Sequence, residues 1–127
     1  MSATTGHLDL TLAHDAASVA QARKAVANAL PELGAEQNFT VRLLISELVT
    51  NALRHGGLEK PLELHASWNG TVRVEVIDHG DRFTPAPRSQ PLEEPGAYGL
   101  LLVGSLADRW GVETDHRTTV WFEVNGT

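Results

Sequence analysis

The sequence contains no cysteine, which removes disulfides, thiol catalysis and cysteine-ligated zinc from consideration. It also lacks a surplus of positive charge: 10 Lys and Arg stand against 16 Asp and Glu, for a formal charge of −6. Nonspecific nucleic-acid binding needs a basic footprint, so no nucleic-acid partner is expected. No apolar run approaches the roughly 20 residues that cross a bilayer. The start, MSATTGHLDL, has neither the basic opening nor the apolar core of a signal peptide. A cytoplasmic protein with no membrane partner is the expectation. The 6 histidines are scattered without short ligand spacing, which argues against a structural metal site. Repeats, domain linkers and low-complexity tails are missing too. What remains is 127 residues, 42% hydrophobic and 20% charged, which fits one domain over 1–127 with a real core.

That chain is organised around LLISELVTNALRHGG, Leu43 to Gly57. Val41, Leu44, Ile45, Leu48 and Ala52 recur at helical spacing and define a core-facing stripe. Glu47, Asn51 and His55 follow at i, i+4 and i+8. At about 100° per residue, each lies roughly 40° further round the helix than the one before. The three form a short polar row flanking the stripe, where a packed core opens into a cleft. A carboxylate, a carboxamide and an imidazole aligned there suit a base, a metal ligand and a phosphate contact. The same row also suits the polar boundary of an ordinary amphipathic helix.

Leu8, Leu10 and Leu12 alternate with polar neighbours and predict a first strand. Asp15 or Ser18 is a candidate cap for a helix carrying Val19, Ala22, Val26, Ala29 and Leu30. Pro31 to Ala35 breaks that helix, and the central one runs from about Glu36 to His55, stopped by Gly56-Gly57. Leu62, Leu64, Ala66 and Trp68 read as a second strand, Asn69-Gly70 as a hairpin turn, and Val72, Val74 and Val76 as a third strand ending near Asp78. Asp81 to Tyr98 holds four prolines and no periodicity, which in a small domain marks a lid, a binding loop or disorder. Gly99 to Ala107 predicts a short buried helix, and Trp110 to Thr114 and Thr119 to Val124 two closing strands. Hairpins dominate, so an α+β fold is expected, with a mostly antiparallel sheet and its helices on one face.

Chemistry collects at three places. The first is the Glu47, Asn51, His55 row. The second is Asp78-His79-Gly80 at a strand end, where a carboxylate can accept from an exocyclic amine and a glycine lets a flat ring approach; a tight turn is the plainer reading. The third is Gly96-Ala97-Tyr98-Gly99-Leu100 before a helix, whose free amides suit phosphate. In this order, with a long loop between the second and third, they resemble the ATP-binding (Bergerat) fold of the gyrase, heat-shock chaperone, histidine kinase and mismatch-repair ATPases. Within that superfamily the chain most resembles the free-standing anti-sigma-factor serine kinases. ISELVTNALRHG matches their first box, and ADRWGV and TTVWFEV are similar to their closing segments.

The resemblance implies a two-layer α/β sandwich with an ATP lid over about 81–98. It implies that Asn51 ligates Mg2+ bridging the ATP phosphates and that Glu47 is the general base on an acceptor serine. His55 would lie near the phosphates or close the pocket wall. Asp78 would bind the adenine amine, with Gly80 giving the ring room. Gly99 and Leu100 would meet the phosphates through their amides, and Thr119 would contact the adenine side. Three positions depart from the family pattern: Ala97 and Arg82 replace glycines, and Arg117 and Thr118 stand where a glycine and often a lysine precede the threonine. Only Arg82 and Arg88 are basic in the lid, which leaves phosphate neutralisation mainly to magnesium and helix amides. The implied function is an ATP-dependent serine/threonine protein kinase that binds a sigma factor or similar client and phosphorylates an antagonist protein, as a homodimer by resemblance. The alternative is a module that holds ATP, or no nucleotide, and acts by sequestering its partner. A detached histidine kinase catalytic part is disfavoured, because no phosphoacceptor helix pair is expected and Glu47 stands at the serine-kinase position.

Overall fold

Strand and helix periods in the sequence map directly onto the elements of the computed structural model, which describes residues 5–30, 33–55, 60–79, 100–114 and 117–125. The leucine alternation forms strand β1, Gly6–Leu12. Helix α1, Ala17–Ala29, buries Ser18, Ala22 and Val26 at intervals of four, and α2 spans Ala35–His55. Strands β2, Leu62–Trp68, and β3, Thr71–Asp78, are joined by a turn in which Gly70 has φ +100°, a left-handed value that glycine adopts without strain. Helix α3, Leu101–Leu106, precedes β4, Arg109–Thr114, and β5, Thr118–Asn125. The proposed lid and the Gly56-Gly57 stop lie outside the described residues.

The α1 start differs from expectation in detail. Ala16 occupies the cap position. Asp15 Oδ1 accepts the Ala17 amide at 2.7 Å, while the Ser18 hydroxyl turns back to donate to the Ala13 carbonyl at 2.6 Å. The turn thus satisfies its own backbone before the helix begins.

All neighbouring strands are antiparallel, in the order β1-β2-β3-β5-β4. The last strand therefore inserts between β3 and β4. Even-numbered positions of β1, β2 and β3 and of β5 face the helices: Leu12, Leu62, Leu64, Val74, Val76, Val120 and Phe122 are buried there. Against them pack Val41, Leu44, Ile45, Leu48, Val49 and Ala52 of α2, which crosses β3 and β5 in the middle of the sheet. Helix α1 covers the β1 side and α3 the β4 side. The fold is the expected α+β layer pair, and no described helix is long and apolar enough to cross a membrane.

Both edge strands carry a glycine under a tryptophan of the adjoining strand. Gly6 lies opposite Trp68, and Gly111 opposite Trp121. A Cβ on Gly111 would stand 2.8 Å from the Trp121 indole nitrogen, whose ring is itself capped by the Arg73 guanidinium 4.1 Å from the centroid. Gly111→Ala should therefore displace a ring already held by that guanidinium. The expected cost is about 1–3 kcal/mol, with altered tryptophan emission; a melting temperature and spectrum equal to wild type would refute this packing.

Candidate nucleotide site

Helix α2 sets the first half of the site. Its stripe dictates the rotation, and the polar row then turns inward as it advances. Glu47 is half-buried, whereas Asn51, one turn on, is only 8% exposed. The Asn51 Oδ1 is buried and has no hydrogen-bond partner among the described residues. An unsatisfied buried carbonyl costs about 1–3 kcal/mol, so this oxygen points to a missing partner. Mg2+ fits it: a hard cation that takes one or two protein oxygens when phosphates supply the others. His55 ends the helix, and its side chain lies outside the described residues.

The ends of β3 and β5 set the second half. Asp78 is 3% exposed on the helix-facing side. Its neighbour across the ladder is Thr118, also buried, and on its other flank is Leu62. Only residues 56–61 separate Leu62 from the end of α2, so the helix row and the strand end share one end of the molecule. Leu100, 1% exposed, belongs to the same core at the start of α3. Gly80 and Gly99 lie outside the described residues.

The strand alternation puts the two adjacent threonines on opposite faces. Thr119 pairs with Ile77 and Glu113, on the face turned away from the helices. The residue that shares Asp78's side is Thr118. Period-two alternation moves every side chain to the other face with a shift of one residue. Two adjacent threonines hide that register in the sequence; counting back from buried Phe122 would have revealed it.

Behind the strand end lies a feature the sequence reading missed, because its members are far apart in the chain. On the outer sheet face, His65 Nδ1 lies 2.6 Å from Asp9 Oδ1 and His65 Nε2 lies 3.0 Å from Glu63 Oε1, both at hydrogen-bond distance. The other Glu63 oxygen accepts from His79 Nε2, and His7 lies 3.9 Å from Asp9. The hydrogen bond from His65 holds the Asp9 carboxyl below its ordinary range. Glu63 is lowered chiefly by His65 and further by His79. His65 is raised, first by its bond to Asp9, against a smaller opposing effect of burial.

A family model described as the histidine kinase-like ATPase domain matches residues 12–124. The crystal structure of the RsbU and RsbW domains of Rv1364c from Mycobacterium tuberculosis is similar to the chain at a TM-score of 0.74 and 20% identity. That likeness covers 95% of this chain and 32% of the solved one, so the chain spans about a third of that protein's length. It shows the shared fold. No curated protein matches the sequence.

The outer-face network makes stability depend on pH in two directions. His65, raised when folded, adds stability that is complete below its ordinary value of 6.5 and is lost as pH climbs through the folded value. Asp9 and Glu63, lowered when folded, add stability that is complete above 3.8 and 4.5 and is lost on acidification. The melting-temperature gap between wild type and His65→Gln should therefore be widest between about pH 4.5 and 6.5 and narrow on both sides. A gap independent of pH would show that the ring acts by packing alone.

Proposed function

The chain belongs to the histidine kinase-like ATPase domain family, and on that premise we propose that it binds Mg-ATP and acts as a regulatory serine kinase of the anti-sigma-factor type. The observation that carries the reading is the buried Oδ1 of Asn51, without a hydrogen-bond partner among the described residues, one helical turn from Glu47. A buried carboxamide oxygen that accepts no hydrogen bond from the described residues is suited to a cation. A carboxylate one turn outward, half-open to solvent, is suited to an incoming hydroxyl.

Asn51 would hold Mg2+, which supplies charge neutralisation at the phosphates. Asp78 would accept from the adenine amine at the buried end of β3, with Thr118 beside it as the hydroxyl neighbour. Leu100 would contribute its amide, and His55, Gly80 and Gly99 keep the roles implied by the resemblance. In the transfer itself, the bond from the γ-phosphorus to the bridging oxygen of ATP breaks as one to the acceptor serine Oγ forms. Glu47 takes the hydroxyl proton, and ADP leaves. A sigma factor or similar client as binding partner, an antagonist protein as acceptor, and a homodimer are supported by the sequence resemblance to the anti-sigma-factor kinases. The fold likeness to a solved chain that includes an RsbW domain is compatible with them. Residues 1–127 would form one such domain.

Mg-ATP at 100 times its dissociation constant should raise stability by roughly 2.7 kcal/mol, on the order of 10 °C in melting temperature. The absence of any shift would sink the nucleotide reading. Asn51→Ala should lower both Mg-ATP binding and transfer. Glu47→Gln should keep ATP affinity within a few-fold while lowering serine phosphorylation by about 10²–10⁴ in single turnover with an antagonist protein. Wild-type binding without transfer to any antagonist would instead mark a sequestering module, consistent with the departures from the family pattern at Ala97 and Arg117.

A further inference from the structure

Four side chains, from β1, β2 and the residue just after β3, form a chain of hydrogen bonds on the outer sheet face: Asp9, His65, Glu63 and His79. Its end is chemically placed. His79 follows Asp78 directly, and alternation turns the two to opposite faces of β3's end, Asp78 toward the helices and His79 toward Glu63. We infer that Glu63 is a positioning residue for the nucleotide pocket, holding the end of β3 through His79, and that the proton on His65 sets that hold.

The argument rests on what an imidazole can donate. Both ring nitrogens of His65 face carboxylate oxygens, Nδ1 at 2.6 Å and Nε2 at 3.0 Å. A neutral ring has one N–H, so only imidazolium satisfies both partners. When the second proton leaves, the remaining N–H stays with the nearer oxygen, on Asp9. A lone pair then faces Glu63 Oε1, and the repulsion drives Glu63 out of the position in which its other oxygen accepts from His79. The end of β3 loses its outer anchor, next to the residue assigned to adenine. The other charged groups around His65 do not replace this link. His7 sits beyond Asp9 on β1. Glu75, opposite His65 on β3, is held by Arg73, which also binds Glu123.

This inference rests on the nucleotide reading of Asp78. Thermodynamic reciprocity supplies its test: if the His65 proton favours nucleotide, nucleotide must favour the His65 proton by the same factor. The His65 imidazole signal is followed by NMR through a pH titration with and without saturating Mg-ADP, and assigned by its loss in His65→Gln. Calorimetry at each pH confirms occupancy. The titration midpoint should rise by about half a pH unit on binding, equal to about threefold tighter nucleotide at low than at high pH. In Glu63→Gln, checked for folding by circular dichroism, the midpoint should no longer respond to Mg-ADP. That comparison also cancels the titration of the nucleotide's own phosphates. If Glu63→Gln does not fold, the wild-type midpoint decides alone. Saturation without movement of the midpoint would overturn the inference and leave the nucleotide reading standing. No binding heat at any pH would overturn both.

Discussion

The seating of α2 across β3 and β5 is the contact on which the rest of the structure depends. Val41, Leu44, Ile45, Leu48, Val49 and Ala52 fill the space above Val74, Val76, Val120 and Phe122, and all are buried. At about 25 cal/mol per Å² of apolar area, this layer dominates the stability of so small a domain. It also fixes the rotation of the helix, since a turn of even one residue would put a charged side chain on the sheet. Because Asn51 and Glu47 ride on the same helix, the packing that folds the domain also aims its polar row. Polar groups are expensive at such a seam. Asn51 stays there with its oxygen unpartnered among the described residues.

The sheet separates two kinds of electrostatics. On the helix side, Asp78, Thr118 and Asn51 sit in a dry layer, where each hydrogen bond or ion contact is strong and each unmade one is costly. On the other side, carboxylates, imidazoles and guanidinia are arranged in two self-compensating groups. Asp9, His65, Glu63 and His79 form one, and Arg73, Glu75, Glu123, Arg109 and Trp121 the other. Exposed pairs of this kind contribute little individually. Their importance lies in where they end. The first group runs from the edge strand β1 to His79, the residue after the buried Asp78, so that the wet surface and the dry layer are one backbone step apart.

The edges show the same economy. Strands β1 and β4 are open on one side, and each carries a glycine roofed by a tryptophan from its inner neighbour. Glycine alone weakens a strand; an aromatic ring laid across it restores the buried surface that the missing side chain would have supplied. On the β4 side the ring is held further by Arg73, which ties the edge back to β3.

Local pattern was enough to place every described element, because helix and strand periods are written in residue spacing. It was enough for the α2 row too: Glu47 and Asn51 are four apart, and helical geometry settles their relation without reference to any other part of the chain. The strand-end carboxylate Asp78 was legible for the same reason, from the run of alternating valines before it. Tertiary structure alone decided the rest. The insertion of β5 between β3 and β4 is a matter of lateral pairing, which no residue spacing announces. That insertion puts Thr118, not Thr119, beside Asp78, since the pairing register determines which of two adjacent threonines faces inward. The outer-face chain joins residues 9, 63, 65 and 79. No spacing rule connects them, because their contact is created by lateral strand pairing, which sequence separation does not encode.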